Sequence, residues 1–271
     1  MVKRLITAVV SIIAVLLILV FVKTPVTSIA VALLGVVSAY ELFNISSNKS
    51  NKLLLIASFL YMAVVPFAIR GYIPVDTMLI TVVYMFIFAL SIMYKFKGLN
   101  LERQFLCVGM TLFVSYGFST IINTLDSNFG MYYFFVAAFC ALVTDTGAYF
   151  AGTLFGKHKL CPVLSPKKTV EGAIGGLIVC VIVVILYTGI YSNFTDGIES
   201  TNYVALIIGT VIASVGGMLG DLFASAVKRY FGVKDYGNFF PGHGGVLDRV
   251  DSLMFSFPII YNFIQYFPFV K

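Results

Sequence analysis

The sequence predicts an all-α, polytopic integral membrane protein with about nine transmembrane helices and a cytoplasmic N-terminus. Three observations predict it. Of 271 residues, 60% are hydrophobic and only 11% charged, with a mean hydropathy of +0.99. Soluble domains carry about 25% charged residues, so a chain this apolar would expose too much greasy surface to stay in water. Second, nine apolar runs, each near the ~20 residues that cross a bilayer, follow one another with short polar turns between them. Third, with the N-terminus inside, fifteen of the 18 Lys and Arg residues fall in inside segments, leaving Lys23, Arg70 and Lys271 outside. That is the positive-inside asymmetry of membrane proteins.

The first run, roughly 5–22, follows Lys3 and Arg4 and resembles a signal peptide. It lacks a small-x-small cleavage site and further runs follow, so it reads as a retained helix. Runs at about 26–43, 53–70, 74–94 and 104–122 complete an N-terminal region, 1–130. Almost nothing polar there needs explaining; Glu41 and Glu102 read as helix-end charges beside basic residues. Runs at about 130–155, 172–191, 203–224 and 247–269 form a C-terminal region, 131–271, with nearly all the polar residues that do. The runs are solidly apolar rather than alternating, which argues against a β-barrel. The net charge of +6 reads as an orientation signal, with a lesser attraction to anionic lipid or substrate, and not as a nucleic-acid surface. Cys107, Cys140 and Cys180 lie in apolar runs, Cys161 lies in a basic loop, and no CxxC pair suggests zinc or redox chemistry.

Asp145 and Asp221 are carboxylates at or near membrane depth, where a charge costs several kcal/mol unless it is paired, hydrated or metal-bound. Alternation of the spans carries Asp145, Thr169, Glu171, Asp221, Asp248, Arg249 and Asp251 to the cytoplasmic ends of the last four helices. Asp248 and Asp251, spaced i, i+3, share a helical face. They suit Mg²⁺, which commonly bridges one or two carboxylates to substrate phosphates; a solvated pair neutralised by Arg249 fits the spacing equally well. The loop Pro241-Gly242-His243-Gly244-Gly245 permits close approach of backbone N–H groups to an anion, or is an ordinary glycine-rich turn. Lys228, Arg229 and Lys234 lie upstream, and Ser165-Pro166-Lys167-Lys168-Thr169 adds two cations and two hydroxyls. Cations, glycines and carboxylates at one membrane face are what polyphosphate chemistry needs.

From Ser225-Ala226-Val227-Lys228-Arg229 through Lys234-Asp235 to Pro241-Gly242-His243-Gly244-Gly245-Val246-Leu247-Asp248-Arg249-Val250-Asp251, the sequence closely resembles the signature of phosphatidate cytidylyltransferases (CDP-diacylglycerol synthases). Asp145-Thr146-Gly147-Ala148-Tyr149 and Ser165-Pro166-Lys167-Lys168-Thr169-Val170-Glu171-Gly172 resemble that family too. Tyr236 stands where a small hydroxyl residue is more usual. The resemblance spans residues about 140–255 and implies a Mg²⁺-dependent reaction, with a second cation left open. CTP and phosphatidate of the inner leaflet would give CDP-diacylglycerol and pyrophosphate. It implies a multi-pass protein of the cell membrane whose site faces the cytoplasm; a homodimer is left open. On this reading Asp221, Asp248 and Asp251 hold metal, and Lys228 and Arg229 join them in catalysis. Asp145, Ser165, Lys167, Lys168, Thr169, Glu171, Ser225, Lys234, Asp235, His243, Gly244, Gly245 and Arg249 bind substrate.

Two rivals are weaker. A CTP-dependent polyprenol or phytol kinase would release CDP rather than pyrophosphate, and the complete glycine-aspartate signature disfavours it. A cation-coupled transporter would place its acids near the midplane, often within paired repeats. Here they lie toward one face, and no repeat is visible.

Overall fold

The computed structural model describes residues 13, 15–46, 51–94, 100–195, 197–240 and 244–271. Among these, seven helices are long and apolar enough to cross a membrane. They are α1 (Pro25–Ile45), α2 (Lys52–Ile69), α3 (Thr77–Tyr94), α4 (Leu101–Asp126), α5 (Gly130–Phe155), α6 (Val170–Phe194) and α7 (Tyr203–Tyr230). An antiparallel hairpin, β1 (Lys159–Cys161) and β2 (Ser165–Thr169), stands between α5 and α6. Two shorter helices, α8 (Leu247–Val250) and α9 (Leu253–Tyr266), follow α7.

The run at 5–22 is helical at residues 13 and 15–20, and residues 1–12 and 14 lie outside the described residues. The run at 247–269 is not one continuous helix. It breaks at Asp251 and Ser252, and the 14-residue α9 beyond the break contains Pro258. At 1.5 Å per residue α9 is about 21 Å long, short of the ~30 Å hydrocarbon core. Hydropathy averages over both the break and the proline, so it reads one helix where the backbone makes two.

Local signals set the helix starts. Thr24 caps α1 by accepting the Val26 N–H at 3.3 Å, and Pro25 takes the first helical position, where its missing N–H is harmless. Asn51 caps α2 through the Leu54 N–H, and its Nδ2 donates to Gln104 Oε1 at 3.1 Å and Ser91 Oγ at 3.3 Å. One buried amide thus ties together the ends of α2, α3 and α4. At the other end of α2, the buried Arg70 forks onto Asp126 with N–O distances of 2.9 and 2.8 Å.

Contacts divide the chain into two compact units. The first comprises Met1–Asp126 and Phe231–Val250, the second Ser127–Tyr230 and Asp251–Lys271. Phe43, Leu54 and Ile122 are fully buried in the first unit; Tyr132, Leu206, Met254 and Ile260 are in the second. The outward surface is apolar as well. Ile174, Ile178, Ile182, Leu186 and Ile190 recur every fourth residue along α6, each more than half exposed. A continuous aliphatic stripe of this kind is a lipid-facing surface, and the chain is a multi-pass membrane protein.

Candidate active site

The second unit gathers a buried acidic cluster. α7 continues past the apolar run that ends near 224, because helical hydrogen bonding persists where hydropathy stops. Ser225 and Lys228 consequently follow Asp221 at i+4 and i+7 on one face. Gly220 lets α7 lie directly against the break before α9: a Cβ there would stand 2.7 Å from the Asp251 carbonyl and 2.6 Å from the Phe255 ring. Ser252 donates its hydroxyl to Asp145 Oδ2 at 3.0 Å, and its N–H goes to Asp251 Oδ1 at 2.8 Å. One serine therefore links the carboxylate of α5 to that of the break.

On β2 Lys167 is exposed, while Lys168 is half-buried. The Lys168 ammonium lies 2.6 Å from Asp221 Oδ2, off the axis of a hydrogen bond, so the contact is a charge pair. Asp145 is within electrostatic reach of Lys168 and Asp221, and Asp251 of Asp221, Lys228 and Asp145. Burial first, and then the negative charge of Asp221, push the Asp251 carboxyl up to about 7. Three carboxylates are thus crowded against two lysines.

The hairpin that presents Lys168 is itself anchored. Thr169 accepts the Gly172 N–H at 3.1 Å and caps α6. Glu171 accepts the N–H groups of Lys157 at 3.0 Å and His158 at 3.1 Å, and pairs with His158 Nδ1 at 2.5 Å. These contacts turn Glu171 toward the α5–β1 connection.

In the first unit, Asp248 organises its own loop. Its Oδ2 accepts the N–H groups of Tyr236 at 2.8 Å and Gly245 at 3.0 Å. Gly244 has φ +84°, the left-handed conformation that glycine favours. Glu41 of α1 accepts the next two N–H groups, those of Val246 and Leu247. The donors after Gly244 are therefore held by carboxylates of the protein itself. Lys234, Asp235 and Arg249 are exposed, as is Arg229 at the end of α7, while Ser165 and Ser225 are half-buried. His243 lies outside the described residues.

The structure thus brings Asp145, Lys168, Asp221, Lys228 and Asp251 together in one unit, and Gly245 and Asp248 in the other. Reading Glu41 as a helix-end charge beside lysines is corrected by its burial against the loop. The signal was available: Glu41 is a carboxylate within an apolar run, the same criterion that selects Asp145. Ser252 carried no comparable signal.

Among the described residues, no three His, Cys, Asp or Glu side chains enclose a metal by themselves. The donor set nevertheless suits Mg²⁺. Asp221 and Asp251 offer only hard oxygen and repel one another, and Mg²⁺ takes one or two carboxylates with substrate phosphates completing its shell.

Over 154 residues, 57% of this chain and 56% of the relative, the sequence is 46% identical to a phosphatidate cytidylyltransferase of Staphylococcus saprophyticus. It is 45% identical, over the same shares, to a phosphatidate cytidylyltransferase of Staphylococcus haemolyticus. The matched segment spans about half the length of each relative. Residues 2–267 match the description of one family, nearly end to end, and the chain belongs to that cytidylyltransferase family.

Proposed function

We propose that this protein transfers the cytidylyl group of CTP to phosphatidate, giving CDP-diacylglycerol and pyrophosphate. The observation that carries the reading is the crowding of Asp145, Asp221 and Asp251 around Lys168 and Lys228, in a membrane protein of the cytidylyltransferase family.

In the reaction, an oxygen of the phosphatidate phosphate attacks the α-phosphorus of CTP. A P–O bond forms there, and the bond to the β-phosphate breaks with its electron pair leaving on pyrophosphate. A phosphomonoester dianion is already a nucleophile, so positioning and charge neutralisation are the main requirements, not a strong base. Lys168 and Lys228 supply positive charge beside the acids, and Lys167 and Arg229 offer exposed cations for phosphate oxygens. Asp221 and Asp251 would hold Mg²⁺, which when bound offsets phosphate charge and polarises the reacting phosphorus. The Lys and Arg asymmetry supports a cytoplasmic site, where CTP is available and phosphatidate lies in the adjoining leaflet.

The test is purified protein in detergent with CTP, phosphatidate and Mg²⁺. CDP-diacylglycerol and pyrophosphate are expected in equal amounts. Release of CDP with diacylglycerol or a polyprenol, and no CDP-lipid from phosphatidate, would overturn the reading in favour of a kinase.

A further inference from the structure

Glu41 is 3% exposed and is the only charged residue of α1. A carboxylate so placed is costly unless its oxygens are satisfied. Here the satisfaction comes from the signature loop. Oε1 accepts the Val246 N–H at 2.9 Å and Oε2 the Leu247 N–H at 3.0 Å, so the two oxygens grip consecutive peptides. The preceding N–H, that of Gly245, goes to Asp248 Oδ2 at 3.0 Å, and the Tyr236 N–H reaches the same oxygen. The orientation of Asp248 is therefore continuous, through three adjacent peptides, with a side chain some two hundred residues away in sequence.

Gly245 fits this contact and little else would. Its Cβ would stand 2.5 Å from both Glu41 oxygens, closer than real atoms approach. Gly237 lies against the same carboxylate, where a Cβ would stand 2.8 Å from Oε1. The loop has no side chain where Glu41 needs room.

We propose that Glu41 is a positioning residue for the reaction: it fixes the 245–248 turn and thereby orients the Asp248 carboxylate, without touching substrate. This rests on the cytidylyltransferase reading for its consequence in turnover, but the mechanical part stands on geometry alone. It assigns a share of the reaction to α1, a segment outside the stretch that resembles the family signature.

The test combines hydrogen–deuterium exchange of the metal-free protein with steady-state kinetics. In Glu41→Gln, an amide replaces one acceptor with a donor that faces a backbone N–H. Exchange at residues 245–248 should accelerate by about tenfold or more, the scale of a lost charge-assisted hydrogen bond, with α2 to α4 unchanged. Turnover should fall by about tenfold or more with the KM for CTP little altered. Gly245→Ala should also impair turnover, because its methyl strikes Glu41. In a Glu41→Ala background the same change should add less than about twofold, because the obstructing atoms are gone. Unchanged exchange in Glu41→Gln, or Gly245→Ala equally harmful in both backgrounds, refutes the role of Glu41 whatever the reaction. Failure of the wild type to form CDP-diacylglycerol refutes the cytidylyltransferase reading instead, and the exchange result still decides the contact.

Discussion

The Lys168 ammonium lies 2.6 Å from Asp221 Oδ2, with 25% and 29% of the two side chains exposed. The pair joins a hairpin strand to the end of α7. A connection that hydropathy can describe only as a gap between spans therefore supplies the nearest cation to the acidic cluster.

Removing that cation should be far more damaging than removing its neighbour. Lys168→Ala leaves Asp221 to repel Asp251 and Asp145 with only Lys228 to offset the cluster. Partial exposure reduces the penalty below that of a fully buried pair, so a fall in turnover of about 10- to 30-fold is expected. Lys167, exposed on the opposite face of β2, should give about fivefold or less on substitution by Ala. The comparison is made at saturating CTP. Equal losses would refute the separation by face, and an effect confined to the KM for CTP would assign the lysine to the nucleotide instead of the lipid or the transition state.

Asp221→Asn and Asp251→Asn should each abolish detectable turnover while leaving the protein folded by circular dichroism, because an amide binds Mg²⁺ far less well than a carboxylate. Asp248→Asn separates two roles. The amide oxygen can still accept the Tyr236 and Gly245 N–H groups, so the loop should persist while activity is lost. Near-normal activity of Asp221→Asn or Asp251→Asn at ordinary Mg²⁺ would remove that residue from the metal set, and near-normal activity of Asp248→Asn would remove its charge from the reaction.

Much of this was legible in the sequence, for identifiable reasons. The seven long helices follow from apolar length alone, and 130–155 coincides with α5. Asp145 and Asp221 stood out because a carboxylate in an apolar run is rarely accidental. Lys167 and Lys168 were found as a pair, but only the hairpin register separates them, and a five-residue strand leaves no hydropathy signal. The return of Phe231–Val250 to the first unit was equally invisible, since loop chemistry does not reveal which helix will meet the loop. Glu41 meets the same criterion as Asp145; what the sequence withholds is its partner, because the backbone N–H groups it binds lie some two hundred residues away.

Thr169 should behave as a structural cap. Its hydroxyl accepts the Gly172 N–H, and it is 7% exposed. Thr169→Ala should lower stability by about 1 kcal/mol, a shift of about 2–4 °C in Tm for a chain of this size. Thr169→Ser, which keeps the oxygen, should recover most of that. A kinetic defect in Thr169→Ser as large as in Thr169→Ala would argue for a methyl-dependent contact with substrate instead.

The cytoplasmic placement of the site can be decided across α6. Its 25 residues rise about 37 Å, more than the ~30 Å hydrocarbon core, so Lys157 before it and Ser200 after it should lie on opposite sides. Both positions are exposed and accept a reporter cysteine once the half-buried Cys161 is replaced by Ser. In intact cells an impermeant maleimide should label Ser200→Cys and leave Lys157→Cys unreacted until the membrane is opened. Labelling of both from outside would show that α6 does not cross. The reverse pattern would keep the span but turn Lys168 and Asp221 to the outer face, away from cytosolic CTP. That single result would overturn the orientation drawn from the Lys and Arg asymmetry, and with it the supply of nucleotide that the proposed reaction requires.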